Sequence, residues 1–224
     1  MSTVKVVELI SRAETLLQDV NVRWPVLELQ SWLNDAYKEI VSMHPDSNTQ
    51  TDVYTCSAGV RQDISSTYPE SYRVLEVLSN KATGSKKKAV QLVSRKSMDS
   101  MRPGWYNDTA SINIEKYMYD GRVPKEFLVY PPALNTAQLE IIYATVPAPH
   151  TLTETQLNNP ATAETIRLDV IYANAILDYI MFRAFSKDSE QQGNAQRAAA
   201  YYQAMVASLN FKVQSDEAVQ PGTA

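Results

Sequence analysis

Hydrophobic residues recur every three or four positions near both ends of the chain and every second position in the part between them. Residues 4–19 and 25–43 each carry one apolar helical face, and a third helical pattern, at 165–186, is apolar nearly all round. A fourth pattern runs from 189 to about 211. Four helices are therefore predicted, and the third is expected to be buried on several sides, in a bundle core or against another subunit.

The central part has the alternation typical of short strands. Strands are predicted at 53–56, 60–65, 72–78, 89–93, 112–119, 127–130 and 138–146. Glycine-containing connections predict one hairpin around 57–59 and a second around 83–85. Residues 97–107 are predicted to form a loop anchored by Trp105 and Tyr106.

These periodicities predict an α+β fold. The N- and C-terminal segments, residues 1–48 and 149–212, should form one discontinuous helical bundle, and residues 49–148 a strand-rich insertion. Residues 213–224 have neither helical nor strand periodicity, so an extended C-terminal arm is predicted there.

Charge is distributed unevenly along the chain. Residues 73–102 contain eight basic and two acidic residues, so this part carries a charge of +6. Because the net charge of the chain is −4, the remainder carries −10. Lys86, Lys87 and Lys88 lie at the predicted tip of the second hairpin. Such a segment can bind phosphate or an acidic partner, and lysines also commonly protect an exposed strand edge.

The composition excludes several classes of protein. One cysteine, Cys56, excludes an internal disulfide framework and fits a reducing compartment. Charges in the first twenty residues interrupt any signal peptide, which predicts synthesis in the cytoplasm. The most apolar run, residues 170–185, contains polar residues and is shorter than the roughly 20 apolar residues of a membrane span, so no membrane association is expected.

Residues with catalytic or metal-binding chemistry are few. His44, His150 and Cys56 lie in separate segments, so no metal site is predicted, and no nucleophile constellation accompanies either histidine. The chain is therefore expected to be neither an enzyme nor a cofactor-binding protein. Aromatic residues on the C-terminal helices are candidates for subunit contact, although ordinary bundle packing explains any single one equally well: Tyr172, Tyr179, Phe182 and Tyr202.

Several short motifs occur in a characteristic order along the chain. They are Leu9-Ile10-x-Arg12-Ala13-x-x-Leu16-Leu17-x-Asp19, Trp32-Leu33-Asn34-Asp35-Ala36-x-x-Glu39-Ile40, Gly59-Val60-Arg61-Gln62, Pro124-x-x-Phe127-x-Val129-x-Pro131-Pro132, Ile142-Tyr143-Ala144-x-x-Pro147 and Asp178-Tyr179-x-x-x-Arg183-Ala184-x-x-x-Asp188. In this order they resemble the adaptor, or head-to-tail connector, proteins of tailed bacteriophages over residues 7–212.

The resemblance implies a structural protein of the virion. It implies a homo-oligomeric ring of twelve copies docked beneath the portal protein and joined to a tail or nozzle protein. Genomic DNA would pass through the ring without sequence-specific binding, and the C-terminal arm would reach into the portal. The residues of the arm assigned to portal binding are Gln214, Asp216, Val219 and Pro221.

Two other functions remain open on the sequence. A nucleic-acid-binding module would use the basic segment from Lys86 to Lys96, with Trp105 or Tyr106 stacking on bases. The acidic overall charge argues against that function. A small hydrolase is the second alternative, and a chain with two histidines offers few residues for it.

Overall fold

The chain divides into two compact units, and a computed structural model describes residues 3–19 and 21–219, with side chains described through residue 211. The helical unit comprises residues 1–47 and 147–224, and the β unit comprises residues 48–146. Helices and strands together confirm the mixed α+β class.

Helices α1 and α2 open the helical unit. Helix α1 spans Val6–Leu17 and α2 spans Val26–Met43. The backbone N–H of Lys5 donates to the Glu8 carboxylate (3.3 Å), which satisfies one free donor at the start of α1. Helix α2 buries most of its predicted apolar stripe, including Leu33, and α1 buries its stripe from Val6 to Ala13, whereas Leu16 near its end is 51% exposed.

Helix α5 begins later than its sequence pattern predicts. The backbone at Thr165 instead forms an antiparallel bridge with Lys5, and Asp169 caps a 3-10 turn at Val170–Tyr172. A short helix α4, Glu154–Leu157, precedes this segment, and α5 spans Ala173–Lys187. Helix α5 packs against α1 and α2 and against α6, Asn194–Val219, so helices of the same chain cover its apolar surface.

Helix α6 overturns part of the predicted extended arm. Its backbone is helical to Val219, seven residues into the predicted 213–224 segment, and 220–224 lie outside the described residues. Between Phe211 and Val219 the sequence contains no glycine or proline, and Pro221 is the first residue that breaks helices. The absence of an apolar stripe in the sequence therefore did not exclude a helical backbone.

The β unit contains two sheets around a shared core. Its strands are β1 (Thr49–Thr55), β2 (Gly59–Asp63), β3 (Ser71–Asn80), β4 (Gln91–Leu92), β5 (Lys116–Tyr119), β6 (Glu126–Ala133) and β7 (Gln138–Thr145). One sheet has the order β1-β7-β3 and the other β2-β6-β5-β4. Buried side chains of both sheets, including Tyr54, Phe127 and Ile141, form one cluster.

The predicted hairpin around residues 57–59 is wrong. Strand β1 pairs with β7 and β2 with β6, so this connection passes from one sheet to the other. The side chain of Gln62, fully buried, binds the backbone N–H and C=O of Ser57 (2.8 and 2.9 Å) and the C=O of Gly59 (3.1 Å). These bonds satisfy the connection without a strand partner.

The second predicted hairpin is present only as a single antiparallel bridge between Ser79 and Ala89. Strand β3 pairs with β7, and β4 pairs with β5 in parallel. The predicted loop 97–107 contains the end of a helix, α3 (Arg95–Met101), and a 3-10 turn at Trp105–Asn107. Trp105 is fully buried and anchors this segment as expected.

Candidate assembly surfaces

Aromatic side chains form a row between α5 and α6. The ring centroids of Tyr179 and Phe182 lie 5.8 Å apart, and those of Phe182 and Tyr202 lie 5.1 Å apart. The hydroxyl of Tyr202 donates to the Glu39 carboxylate on α2 (3.3 Å). The row therefore links three helices of the same subunit.

Exposure divides the four aromatic residues predicted at the subunit interface. Tyr172 and Tyr179 are buried in the core of their own subunit. Phe182 and Tyr202 are partly exposed. Only these two of the four therefore present appreciable surface to a neighbouring protein.

A groove lies between α2 and α5 beside this row. It has a volume of about 460 Å³ and is lined by Glu28, Trp32, Phe182, Arg183, Ser186 and Lys187; we call it the α2–α5 groove. Its walls are apolar at Trp32 and Phe182, and Lys187 pairs with Glu28 (2.5 Å).

Arg183 is the cation of this groove that forms no ion pair with a side chain described in the structure. Its guanidinium donates to the Tyr179 hydroxyl (3.2 Å) and lies 5.9 Å from the centre of that ring. Because these contacts leave its charge unneutralised, the α2–α5 groove is suited to an apolar side chain accompanied by a carboxylate.

The backbone of α6 continues past the last buried side chain described on this helix. The last buried side chain described on this helix is Leu209, and Phe211 is 75% exposed. The predicted portal-binding residues Gln214, Asp216 and Val219 lie on the helical continuation, and Pro221 lies outside the described residues. The predicted portal-binding residues up to Val219 therefore share a helical backbone.

Lys86, Lys87 and Lys88 are exposed in the connection between β3 and β4, and none forms an ion pair with a described side chain. The backbone of this connection is held in place: the N–H of Lys86 donates to the Asn113 side chain (2.7 Å), and the Lys88 C=O accepts from the Asn80 backbone and side chain. The three charges are therefore presented on a fixed backbone.

The two aromatic residues proposed to stack on bases differ in accessibility. The Trp105 indole N–H donates to Asp99 (2.9 Å), and its buried ring stacks on Tyr106 at 3.8 Å. Tyr106 is 39% exposed. Because Trp105 is occupied within the subunit, this arrangement offers a nucleic acid only one of the two predicted stacking surfaces.

A pocket of the β unit, with a volume of about 590 Å³, is also charged. Its cations are mostly neutralised by neighbouring carboxylates. The pairs are Arg61 with Glu126 (3.2 Å), Arg95 with Asp99 (3.6 Å) and Arg122 with Asp120 (2.7 Å). Lys96 is left as the cation without such a pair in the lining, so the pocket does not concentrate positive charge as a phosphate site does.

A polar network, which the sequence did not predict, lies within the helical unit; we call Tyr37, His150, Glu164 and Arg167 the His150 network. Tyr37 and His150 are buried, Glu164 is partly exposed and Arg167 is exposed. The backbone N–H of Arg167 donates to the Tyr37 hydroxyl oxygen (2.9 Å), and that hydroxyl lies 2.8 Å from Nε2 of His150. The other ring nitrogen, Nδ1, contacts the Glu164 carboxylate, which also accepts from the Arg167 guanidinium (3.2 Å). The partners assign a neutral imidazole that accepts at Nε2 and donates from Nδ1.

Two amide side chains of α2 bind the backbone at His150 and two residues after it. Asn34 binds both the N–H and the C=O of His150 (2.8 and 3.0 Å), and Gln30 binds both groups of Leu152 (2.9 and 3.2 Å). In the sequence, the only sign of these contacts is that Gln30 and Asn34 are polar residues next to the apolar stripe of α2. With its imidazole side chain fully enclosed, His150 holds the segment in place and has no access to a substrate.

Other candidate chemistry is sparse. Burial raises the pKa of Cys56 to about 12, which keeps the thiol protonated at neutral pH. Among the residues that the structure describes, no group of three or more potential ligands is arranged to hold a metal ion. The helices in this part of the chain are all too short or too polar to cross a membrane.

Comparison with models of protein families gives a match over nearly the whole chain. The model of a family described as SU10 adaptor protein matches residues 4–224, which includes both units. A search of curated proteins found no match.

Proposed function

The chain belongs to the SU10 adaptor protein family, a family of bacteriophage adaptor proteins, and we propose that it forms a ring that joins the portal to the tail and lets DNA pass. The family match over residues 4–224 is the observation that carries this proposal. The ring comprises about twelve copies in the virion, with a tail or nozzle protein on the side away from the portal.

The C-terminal segment is the part that binds the portal. Support comes from α6, which continues for ten residues beyond Leu209, the last buried side chain described on it. The end of a helix contributes little to the stability of a subunit unless it packs against the core. Phe211, exposed where this segment begins, offers an apolar side chain to a groove on another protein.

The contacts between subunits use the surface of the helical unit. Helices of the same chain already cover α5, so the support is exposed side chains: Phe182 and Tyr202 remain partly exposed beside the α2–α5 groove. Aromatic residues are enriched at protein interfaces because they contribute a large apolar area with little conformational freedom to lose.

A chain truncated after Lys212 tests the portal-binding role. All buried side chains described for the subunit lie before this point, so the truncated chain should melt at the same temperature as the full-length chain. Co-sedimentation with purified portal rings should be strongly reduced, and the mass of the full-length complex gives the number of copies bound.

Binding of portal by the truncated chain at wild-type level would place the docking surface elsewhere. A full-length chain that binds neither portal rings nor tail proteins, and forms no ring, would contradict the proposed function itself.

A further inference from the structure

An exposed turn lies at the opposite end of α5 from the α2–α5 groove. It consists of Asp169, Val170 and Ile171, and we call it the 169–171 turn. Val170 is 47% exposed and Ile171 is 54% exposed. Two adjacent β-branched side chains held outward in this way form a small apolar knob.

The turn is rigid and carries a negative charge. Asp169 is exposed, and its carboxylate accepts a hydrogen bond from the Ile171 backbone N–H (3.1 Å). Tyr172, the next residue, is buried in the core and anchors the turn. Asp169 forms no ion pair with a side chain described in the structure, so its charge remains available to a partner.

The turn and the groove are complementary in both polarity and charge. The groove offers the apolar walls Trp32 and Phe182 and the unpaired Arg183, and the turn offers two aliphatic side chains and an unpaired carboxylate. The groove volume of about 460 Å³ lies within the range of clefts that enclose small ligands, about 300–1,000 Å³.

We propose that the 169–171 turn of one subunit inserts into the α2–α5 groove of the next subunit, with Asp169 paired to Arg183 across the contact. This inference rests on the proposed function, because it names the surfaces that build the ring. Residues 171 and 183 are separated along the same stretch of chain by about 18 Å at about 1.5 Å per residue. One subunit therefore cannot fill its own groove with its own turn without disrupting α5.

The geometry makes the contact heterologous. Each copy uses its turn toward one neighbour and its groove toward the other, and such head-to-tail contacts close into a ring when the rotation between copies permits. A two-fold symmetric dimer would instead bring the same surface of both copies together.

Two variants separate the two surfaces. Ile171→Asp disables the turn and leaves the groove intact, and Arg183→Asp disables the groove and leaves the turn intact. Each should raise the concentration needed for half-maximal ring assembly by about tenfold or more, since both place an unfavourable charge in the contact. Leu134→Asp, a comparable change at a 40% exposed residue of the β unit, is the control and should assemble normally.

Mixing the two variants gives the decisive measurement. The intact turn of the Arg183→Asp chain can enter the intact groove of the Ile171→Asp chain. In that pair the two surfaces left over, the groove of the Arg183→Asp chain and the turn of the Ile171→Asp chain, are both disabled. The mixture should therefore form a dimer with twice the subunit mass and nothing larger, whereas each variant alone should remain monomeric. Circular dichroism of each variant must match that of wild type.

Each alternative result has a defined meaning. Wild-type rings together with unimpaired assembly of both folded variants would overturn this contact and leave the proposed function standing. Monomers alone in the mixture would also overturn it. A wild-type chain that stays monomeric with and without portal rings would overturn the contact and the proposed function together.

Discussion

The Tyr37 hydroxyl lies 2.8 Å from Nε2 of His150, although the two residues are 113 positions apart in the chain. Tyr37 is on the first long helix, and His150 is on the segment through which the chain returns from the β unit to the helical unit. Both side chains are buried, and the contact joins the two sequence segments that form the helical unit.

Removing either partner of this contact should destabilise the subunit. Tyr37→Phe leaves the Arg167 N–H and the His150 ring nitrogen without their partner, and a buried polar group left unpaired costs about 1–3 kcal/mol. Chemical denaturation of wild type and variant gives this difference in the free energy of unfolding. Tyr106→Phe, at an exposed tyrosine, is the matched control and should have little effect.

Acidification should weaken the same network. Burial lowers the pKa of His150 below its ordinary value of 6.5, and the hydrogen bond that its ring donates to Glu164 offsets this only in part. Below about pH 6.5 the unfolded chain therefore binds a proton at this site that the folded chain binds only at lower pH. The free energy of unfolding should decrease as the pH falls through this range.

A non-titrating variant isolates this effect. His150→Asn should be less stable than wild type at pH 7 and should lose this part of the pH dependence, whereas His44→Asn should keep it. The measurement is the free energy of unfolding from pH 7.5 to 5.5. Equal slopes for wild type and His150→Asn would show that His150 does not govern the response.

Local patterns predicted the helices better than the strand partners. The apolar stripes of α1 and α2 identify both helices, because a helix on the surface of a core repeats its buried face every three to four residues. Strand pairing depends on residues distant in sequence, and a glycine-containing connection does not specify whether the chain turns back or changes sheet. The connection at Ser57 changes sheet because Gln62 binds its backbone.

The candidate surfaces were predicted less well for a related reason. An aromatic residue on a helix has the same sequence signal in a core and in an interface, and the structure buries Tyr179 while leaving Phe182 partly exposed. The His150 network gave no local signal, since its residues come from α2 and from the distant segment before α5. The sequence pattern placed Asp169 inside a predicted helix at 165–186, whereas α5 begins at Ala173 and leaves Asp169 in a turn.

A charge at the centre of α5 should unfold the subunit, with assembly lost as a consequence. Ile180 is fully buried and Leu177 nearly so. Ile180→Asp places an unpaired carboxylate in the core, at a cost of several kcal/mol, about 3–5. The isolated Ile180→Asp subunit should therefore melt at a much lower temperature than wild type or be insoluble, whether or not ring formation is measured. Unchanged melting of both Ile180→Asp and Leu177→Asp would contradict the burial of this helix.

Removing the charge of Asp178 should stabilise the subunit, whereas adding a charge at Ile180 destabilises it. Burial raises the pKa of this carboxyl above its ordinary value, and the positive charge of Arg12 compensates only in part. Arg12 itself donates to the Asn174 side chain (3.4 Å). The folded state therefore holds the carboxylate less favourably than the unfolded state does at pH 7, and this penalty disappears as the pH falls and the group is protonated.

Asp178→Asn should accordingly raise the melting temperature at pH 7, because the asparagine side chain carries no charge to desolvate. The gain should shrink toward pH 4, where wild-type Asp178 is increasingly protonated. Asp35→Asn, at a carboxylate that pairs with Lys38 on the surface, is the control and should show no gain. A destabilised Asp178→Asn chain at pH 7 would show that the charge is favourably paired.

The portal-binding segment should act as a helix. Ser215 lies within the helical backbone of α6, beyond the last described buried residue, and proline there removes a backbone donor and clashes with the preceding turn, at a cost of about 3 kcal/mol to the helix. Ser215→Pro should therefore weaken co-sedimentation with portal rings and leave the melting temperature of the isolated subunit unchanged. Ser215→Ala keeps the helix and should bind as wild type. Equal binding by the proline and alanine variants would show that the segment docks in an extended conformation, because only a helical docking segment requires the hydrogen bond that proline removes.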